Sequence, residues 1–442
     1  MKTLALRLMH ERESGGYAAS LDSLIRSIRR WEAGYHYPDE MSRWLIAKAL
    51  GIDEEELFGS QRHIQLSPDA LPTLTPIPVA PVSIPHDSSA IAVDNGTIDV
   101  TVNRREFLEQ GLALAFGLPL ADWGPVVSLF SNSNYIDAGG LDDLRTLTRL
   151  HMRQWCEASP TELLPKALAR VQVLKGWVDR TRSLEEHRDI KLILAEAAVD
   201  AAWLSNLADN RGDARRLWVL TEELARETGD GPLRAIALAG RSCLYSPVDR
   251  GGAALSFPID LLEGALQSVG QGASAQSRAY LHARYAEELA AIGSAREMYT
   301  NLEVADRLVD SVGAPDERLF GRLDRPQLLG FRGNCEVLLY HSAGSAQAHA
   351  LDSAIEVIER ALSETSPNLL PQRSAMLADL AAACAQSGEV DRATAVLSEA
   401  LDIASESGLE ERVQRVLTIR GRELDKWKDS AAVKEFDDRF RS

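Results

Sequence analysis

Between Leu377 and Leu401 the chain places small and large apolar residues at offsets that suit two close-packed helices. Ala381, Ala393 and Ala400 are small enough for two antiparallel backbones to approach, while Leu380, Leu397 and Leu401 fill the space between. Gly388 lies between the halves, where a helix ends most cheaply in a left-handed residue. Ala354, Ile358, Ala361 and Leu362 repeat the second half of this pattern. Weaker copies run from Ala195 to Ala225, broken at Gly212-Asp213, and from Tyr285 to Ala305, broken at Gly293. The breaks at 212, 293 and 388 are 81 and 95 residues apart, a spacing that fits two helix pairs of about 40 residues each. A pair of this kind cannot bury its apolar face alone, so it must stack on its neighbours and form a concave array. Residues 140–440 would hold roughly seven or eight such pairs. A non-repeating helical bundle is the alternative architecture.

Composition agrees with an all-α chain. Aromatic residues make up 6%, apolar residues 45% and charged residues 26% of the 442, and the abundant alanine and leucine favour helix over sheet. Pro68, Pro72, Pro76, Pro78, Pro81 and Pro85 define a different segment. Proline at that density prevents helix and favours an extended tether, so residues 60–102 read as a flexible linker. A head at 1–59 would then move independently of the body at 140–440, with an amphipathic helix at 103–139 between them. Net charge is −17 overall, but residues 1–62 carry 9 Lys+Arg against 10 Asp+Glu. Only that near-neutral head can approach a polyanion, since the acidic body would repel one.

Residues 24–34 are the most informative part of the head. Leu21, Leu24, Ile28 and Trp31 fall at 3-4-3 spacing and form one apolar stripe, while Arg26, Arg29 and Arg30 fall on the opposite face. A helix anchored by one face and offering guanidinium groups on the other can sit in a major groove. A basic surface helix on any α-domain is the plainer reading. Arg30-Trp31-Glu32-Ala33-Gly34 with Pro38 resembles the close of the recognition helix in phage-repressor-like helix-turn-helix domains of the xenobiotic-response-element type. Leu4-Ala5 with Leu8 resembles that family's second helix, and Leu50-Gly51-Ile52 through Gly59 its last. Asp53 and Glu56 have the capping-box spacing. The resemblance covers residues 3–59. Glu13–Asp22 is longer than the family's turn, and no counterpart of its first helix follows Met1.

The body has its own resemblance. The 377–401 pattern resembles a tetratricopeptide repeat, and Ala201–Leu220 (AAWLSNLADNRGDARRLWVL) resembles the helical body behind such heads in actinobacterial regulators. Together the two imply a small helix-turn-helix head, a Pro-rich linker and a tetratricopeptide-like α-solenoid. By the head's resemblance, Arg26, Ser27 and Arg29 face base edges, Arg30 lies at the groove wall, and Tyr35, His36 and Arg43 touch phosphates. One head with so few cations would bind at the non-specific level, roughly 10⁻⁴ to 10⁻⁶ M, so operator binding to double-stranded DNA calls for a homodimer formed through the body. By the body's resemblance, the first helix of each pair lines the concave face. Asn206 and Asn334 are the candidates there to clamp a peptide or protein ligand by its backbone, with Arg241, Tyr285, Arg332 and Tyr340 as weaker ones. Ala378, Ala382 and Ala385 suggest packing at the last groove rather than binding.

Other chemistry is sparse. The chain has no Gly-rich phosphate loop, no His-Glu-x-x-His and no Gly-x-Ser-x-Gly, and its Asp and Glu pairs read as solvated helix faces, so no enzyme is expected. Cys156, Cys243, Cys335 and Cys384 are scattered, as are the nine histidines. This predicts buried thiols in a reducing cytoplasm, with no metal and no cofactor. No stretch reaches the roughly 18 apolar residues a membrane span needs. Asn103–Leu108 followed by Gly111–Phe116 is similar to a twin-arginine export signal, yet it lies a hundred residues into the chain and reads as an amphipathic helix. Two functions follow: a DNA-binding regulator with a sensing or dimerising body, or a repeat scaffold whose head no longer binds DNA.

Overall fold

The computed structural model describes residues 24–25, 27–28, 31, 38, 40–50, 57, 145–146, 148–149, 152, 159–179, 184–246, 248, 256–270, 272–311, 323–343 and 348–441. The proposed linker at 60–102 and the segment at 103–139 lie outside them, as do Cys156 and Gly251-Gly252. Among the described residues all regular structure is helical, with no strand. No helix among them is long and apolar enough to cross a membrane.

Fourteen α-helices are described: α1 (Glu40–Leu50), α2 (Pro160–Val178), α3 (Leu184–Leu207), α4 (Arg211–Thr228), α5 (Gly231–Tyr245), α6 (Ser256–Ser268), α7 (Ala275–Ala291), α8 (Ala295–Val309), α9 (Arg325–Ala343), α10 (Ala348–Glu364), α11 (Leu370–Ser387), α12 (Val390–Glu406), α13 (Glu410–Glu423) and α14 (Ala431–Arg441). From α3 to α12 they pack as five successive pairs, α3/α4, α5/α6, α7/α8, α9/α10 and α11/α12. The first helix of a pair also meets the first helix of the next at α3–α5, α7–α9, α9–α11 and α11–α13. α2 packs on α3 ahead of the pairs, and α14 packs on α12 behind them.

Small residues permit this close packing. Ala195, Ala197, Ala198, Ala201 and Ala202 are all fully buried in α3. Ala354, Ile358 and Ala361 of α10 and Ala393, Leu397 and Ala400 of α12 share one core with α11. Gly240 of α5 is required by its neighbour, since a Cβ there would come within 2.3 Å of the Trp218 indole. That ring in turn meets Trp203 edge-on at 5.1 Å between centroids.

The turns follow the expected chemistry in two places and depart from it in one. Gly293 and Gly388 are left-handed, with φ of 80° and 90°, and they separate α7 from α8 and α11 from α12. Gly212 is not a break; it lies within the first turn of α4. The left-handed residue there is Asp209, with φ of 53°, and the Asn210 side chain then caps α4 by accepting from the Asp213 amide. Because asparagine supplies the cap, the turn falls three residues earlier than the glycine suggested. Gly229-Asp230-Gly231-Pro232 is a turn as read: Gly229 is left-handed, and Asp230 Oδ1 accepts from the Leu233 amide at 2.9 Å. Cys243, Cys335 and Cys384 are buried.

The ends of the array meet. α13 packs against α3, and Leu207, Ala404 and Leu409 form a small apolar cluster across that junction. Gly408 faces Ser159 and Thr161 just before and within α2. The helical course therefore curls back on itself and leaves a space in its middle.

Candidate functional site: a central cavity in the helical body

A cavity of about 240 Å³ occupies that space. Its walls come from the first helices of successive pairs, in one repeating register. Tyr280, Arg284 and Glu287 of α7, Gln327, Phe331 and Asn334 of α9, and Gln372, Met376 and Asp379 of α11 all line it. Each triplet has i, i+4, i+7 spacing, which places its members on one face of its helix. Trp203 and Asn206 of α3, Cys243 of α5, and Glu411, Arg412 and Arg415 of α13 complete the wall.

The charges in this wall are matched. Arg284 pairs with Glu287 and, at 2.8 Å, with Glu288. Arg415 pairs with Asp379, and Arg412 lies 3.1 Å from Glu411. Asn334 Nδ2 donates to Glu287 Oε1 at 2.5 Å and so ties α9 to α7. Arg284, Glu287, Glu288, Asp379, Glu411 and Arg415 are all buried, so these four acids depart from the solvated helix faces expected of them. A carboxylate in such surroundings is stable only when a guanidinium or amide faces it, and here each has one.

Among the uncharged lining side chains, three leave a buried polar atom without a hydrogen-bond partner: Trp203 Nε1, Asn206 Oδ1 and Gln372 Oε1. Asn206 is only 7% exposed. Such atoms are costly to bury unless something supplies the missing bond.

Of the six residues expected in a concave groove, Asn206 and Asn334 line the cavity, from α3 and α9. The other four lie off it. Arg241 is held inside the body by Glu222, and its burial lowers its pKa to about 10. Tyr285 donates to Glu263 at 2.8 Å, and burial followed by that hydrogen bond raises its pKa. Arg332 lies 3.9 Å from Asp306, and Tyr340 is half-buried. Ala378, Ala382 and Ala385 are core residues, in keeping with packing at that position. Among the described residues no group of three or more His, Cys, Asp or Glu could hold a metal ion.

In the head, Leu24 and Ile28 are each 2% exposed and pack with Leu45 and Ile46 of α1, with Trp31 and Leu57 alongside. Ser27 is helical and half-buried, and Arg43 is half-buried on α1. Arg26, Arg29, Arg30, Tyr35 and His36 lie outside the described residues. α1 is not separate from the body. Trp44 Nε1 donates to Asp260 Oδ2 of α6 at 2.8 Å, and its ring lies 5.2 Å from that of Phe257. Lys48 Nζ donates to Ser256 Oγ at 2.8 Å and lies over the Trp44 ring at 4.7 Å. Burial raises the Asp260 pKa, against the opposing pull of the Trp44 hydrogen bond and Lys48. Where the proline-rich linker predicts an independent head, α1 is docked on α6.

Sequence reasoning missed Trp203, Arg284, Glu287, Gln372, Asp379 and Arg415. A signal was present, because Asp379 is flanked by Ala378 and Leu380 in an otherwise apolar run. No protein-family model matches the chain, and no curated protein matches it.

Proposed function

We propose that the chain is a cytoplasmic, non-enzymatic DNA-binding regulator with a helix-turn-helix head, a tetratricopeptide-like body that senses a ligand in its central cavity, and two copies per operator. One observation carries the reading: α1 belongs to two cores at once. Its Leu45 and Ile46 close the head's apolar cluster, while its Trp44 is gripped by Phe257 and Asp260 of the body. A change in the body therefore reaches the helix that supports the candidate DNA-reading helix. Burial of Leu24 and Ile28 supports the stripe assignment, and by helical periodicity Arg26, Arg29 and Arg30 then belong to the other faces. An arginine forked onto guanine is worth about 1–3 kcal/mol of discrimination.

The double substitution Arg26→Ala with Arg29→Ala should abolish gel shifts of genomic DNA fragments and leave the helical circular dichroism unchanged. Shifts that survive would show that these residues do not read DNA. The competing reading is a protein–protein scaffold with an inactive head, favoured by the docking of α1 on the acidic body. It requires that the unaltered chain also shift no fragment.

A further inference from the structure

We propose that the central cavity binds one compact, uncharged molecule with an apolar or aromatic side and at least one amide group, of the cyclic-dipeptide class. This deepens the sensing role above and rests on that reading of the body. Three features of the cavity lead to it.

The first is charge. Arg284, Arg412 and Arg415 of the wall face three carboxylates of the wall, one each: Glu287, Glu411 and Asp379. A ligand bringing its own charge would have to break one of these buried pairs or lose its hydration without gaining a counterion. A linear peptide with free termini carries two such charges, and a cyclic dipeptide carries none.

The second is the set of polar atoms left over. Asn206 Oδ1 and Gln372 Oε1 are acceptors, and Trp203 Nε1 a donor, left without a partner on side chains that line the cavity. An amide supplies the complement of both kinds, an N–H and a C=O. Trp203 and Asn206 are three residues apart on one face of α3, whereas Gln372 begins α11 on another wall. A ring with amides on opposite edges can engage both walls.

The third is size and lining. A volume of about 240 Å³ is below the usual range for drug-sized pockets. Tyr280, Leu323, Phe331 and Met376 supply the apolar surface for a side chain.

Isothermal titration of the full chain with cyclo(Gly-Phe), and separately with linear Gly-Phe, tests the proposal. The cyclic compound should bind with one-to-one stoichiometry and the zwitterionic linear one should not. Asn206→Leu keeps the side chain's size and removes the acceptor, so it should weaken binding by about tenfold, the worth of one hydrogen bond. Gln372→Leu should do the same, which guards against a folding defect in either variant alone. No heat with the cyclic compound, equal binding of both compounds, or full binding by both variants overturns the assignment. Because no DNA is present, failure here leaves the DNA-reading head untouched, and failure of the gel shift leaves the cavity untouched.

Discussion

Arg170 and Asp200 show how much a single residue can decide in this chain. Both are 0% exposed, and Arg170 Nη2 lies 2.5 Å from Asp200 Oδ2, joining α2 to α3. Burial lowers the Arg170 pKa, and the Asp200 carboxylate opposes that shift. Removing the acid alone takes from a buried guanidinium the carboxylate that opposes its desolvation. Asp200→Ala should therefore cost about 3–5 kcal/mol in urea denaturation. The double change Arg170→Met with Asp200→Leu should recover most of that loss, because it removes both charges and keeps the volume. A single substitution costing under about 1 kcal/mol would mean that water reaches the pair. Asp200 lies in the run Ala197-Ala198-Val199-Asp200-Ala201-Ala202. An acid in such company was visible in the sequence as an anomaly, but its partner on another helix was not.

At the scale of elements, the helices themselves were legible. The apolar spacing of 377–401 became α11 and α12, with Gly388 left-handed between them. The stripe of Leu24 and Ile28 became the buried side of a helical segment. The docking of α1 on α6 was hidden, because Trp44 reads equally well as one more apolar residue of its own helix. Its contact with Asp260 spans 216 residues of sequence. Asp260→Ala should raise hydrogen exchange across residues 40–50 and leave α11 and α12 unchanged. Exchange that stays slow in 40–50 would show that the head's own cluster holds α1 without the body. Trp44→Phe should act in the same direction, since it loses that hydrogen bond and keeps only a smaller ring against Phe257.

For the whole molecule, closure of the array is what creates the cavity. α3 and α13 supply adjoining parts of its wall, and at their junction Leu207 of α3 packs with Ala404 of α12 and with Leu409 just before α13. Leu409 is almost fully buried at that junction. Leu409→Ala should cost about 2–5 kcal/mol, as cavity-forming leucine truncations do. It should also increase the radius of gyration in small-angle scattering, because the ends can then part. An unchanged radius with the stability lost would place the closure elsewhere, in the contact of Gly408 with Ser159 and Thr161.

The sequence by itself determined that the described residues are helical and that helices break at Gly229, Gly293 and Gly388. Those properties are local, set by a period of 3.6 residues and by the caps and left-handed residues at helix ends. Tertiary structure alone decided which charges are matched and where a cavity lies. Arg415 finds Asp379 across 36 residues and Asn334 finds Glu287 across 47. The same holds for the contact of α13 with α3. Burial and pairing are properties of neighbours in space, and an acid on a solvated face and one inside a wall can have the same sequence surroundings until the helices are stacked.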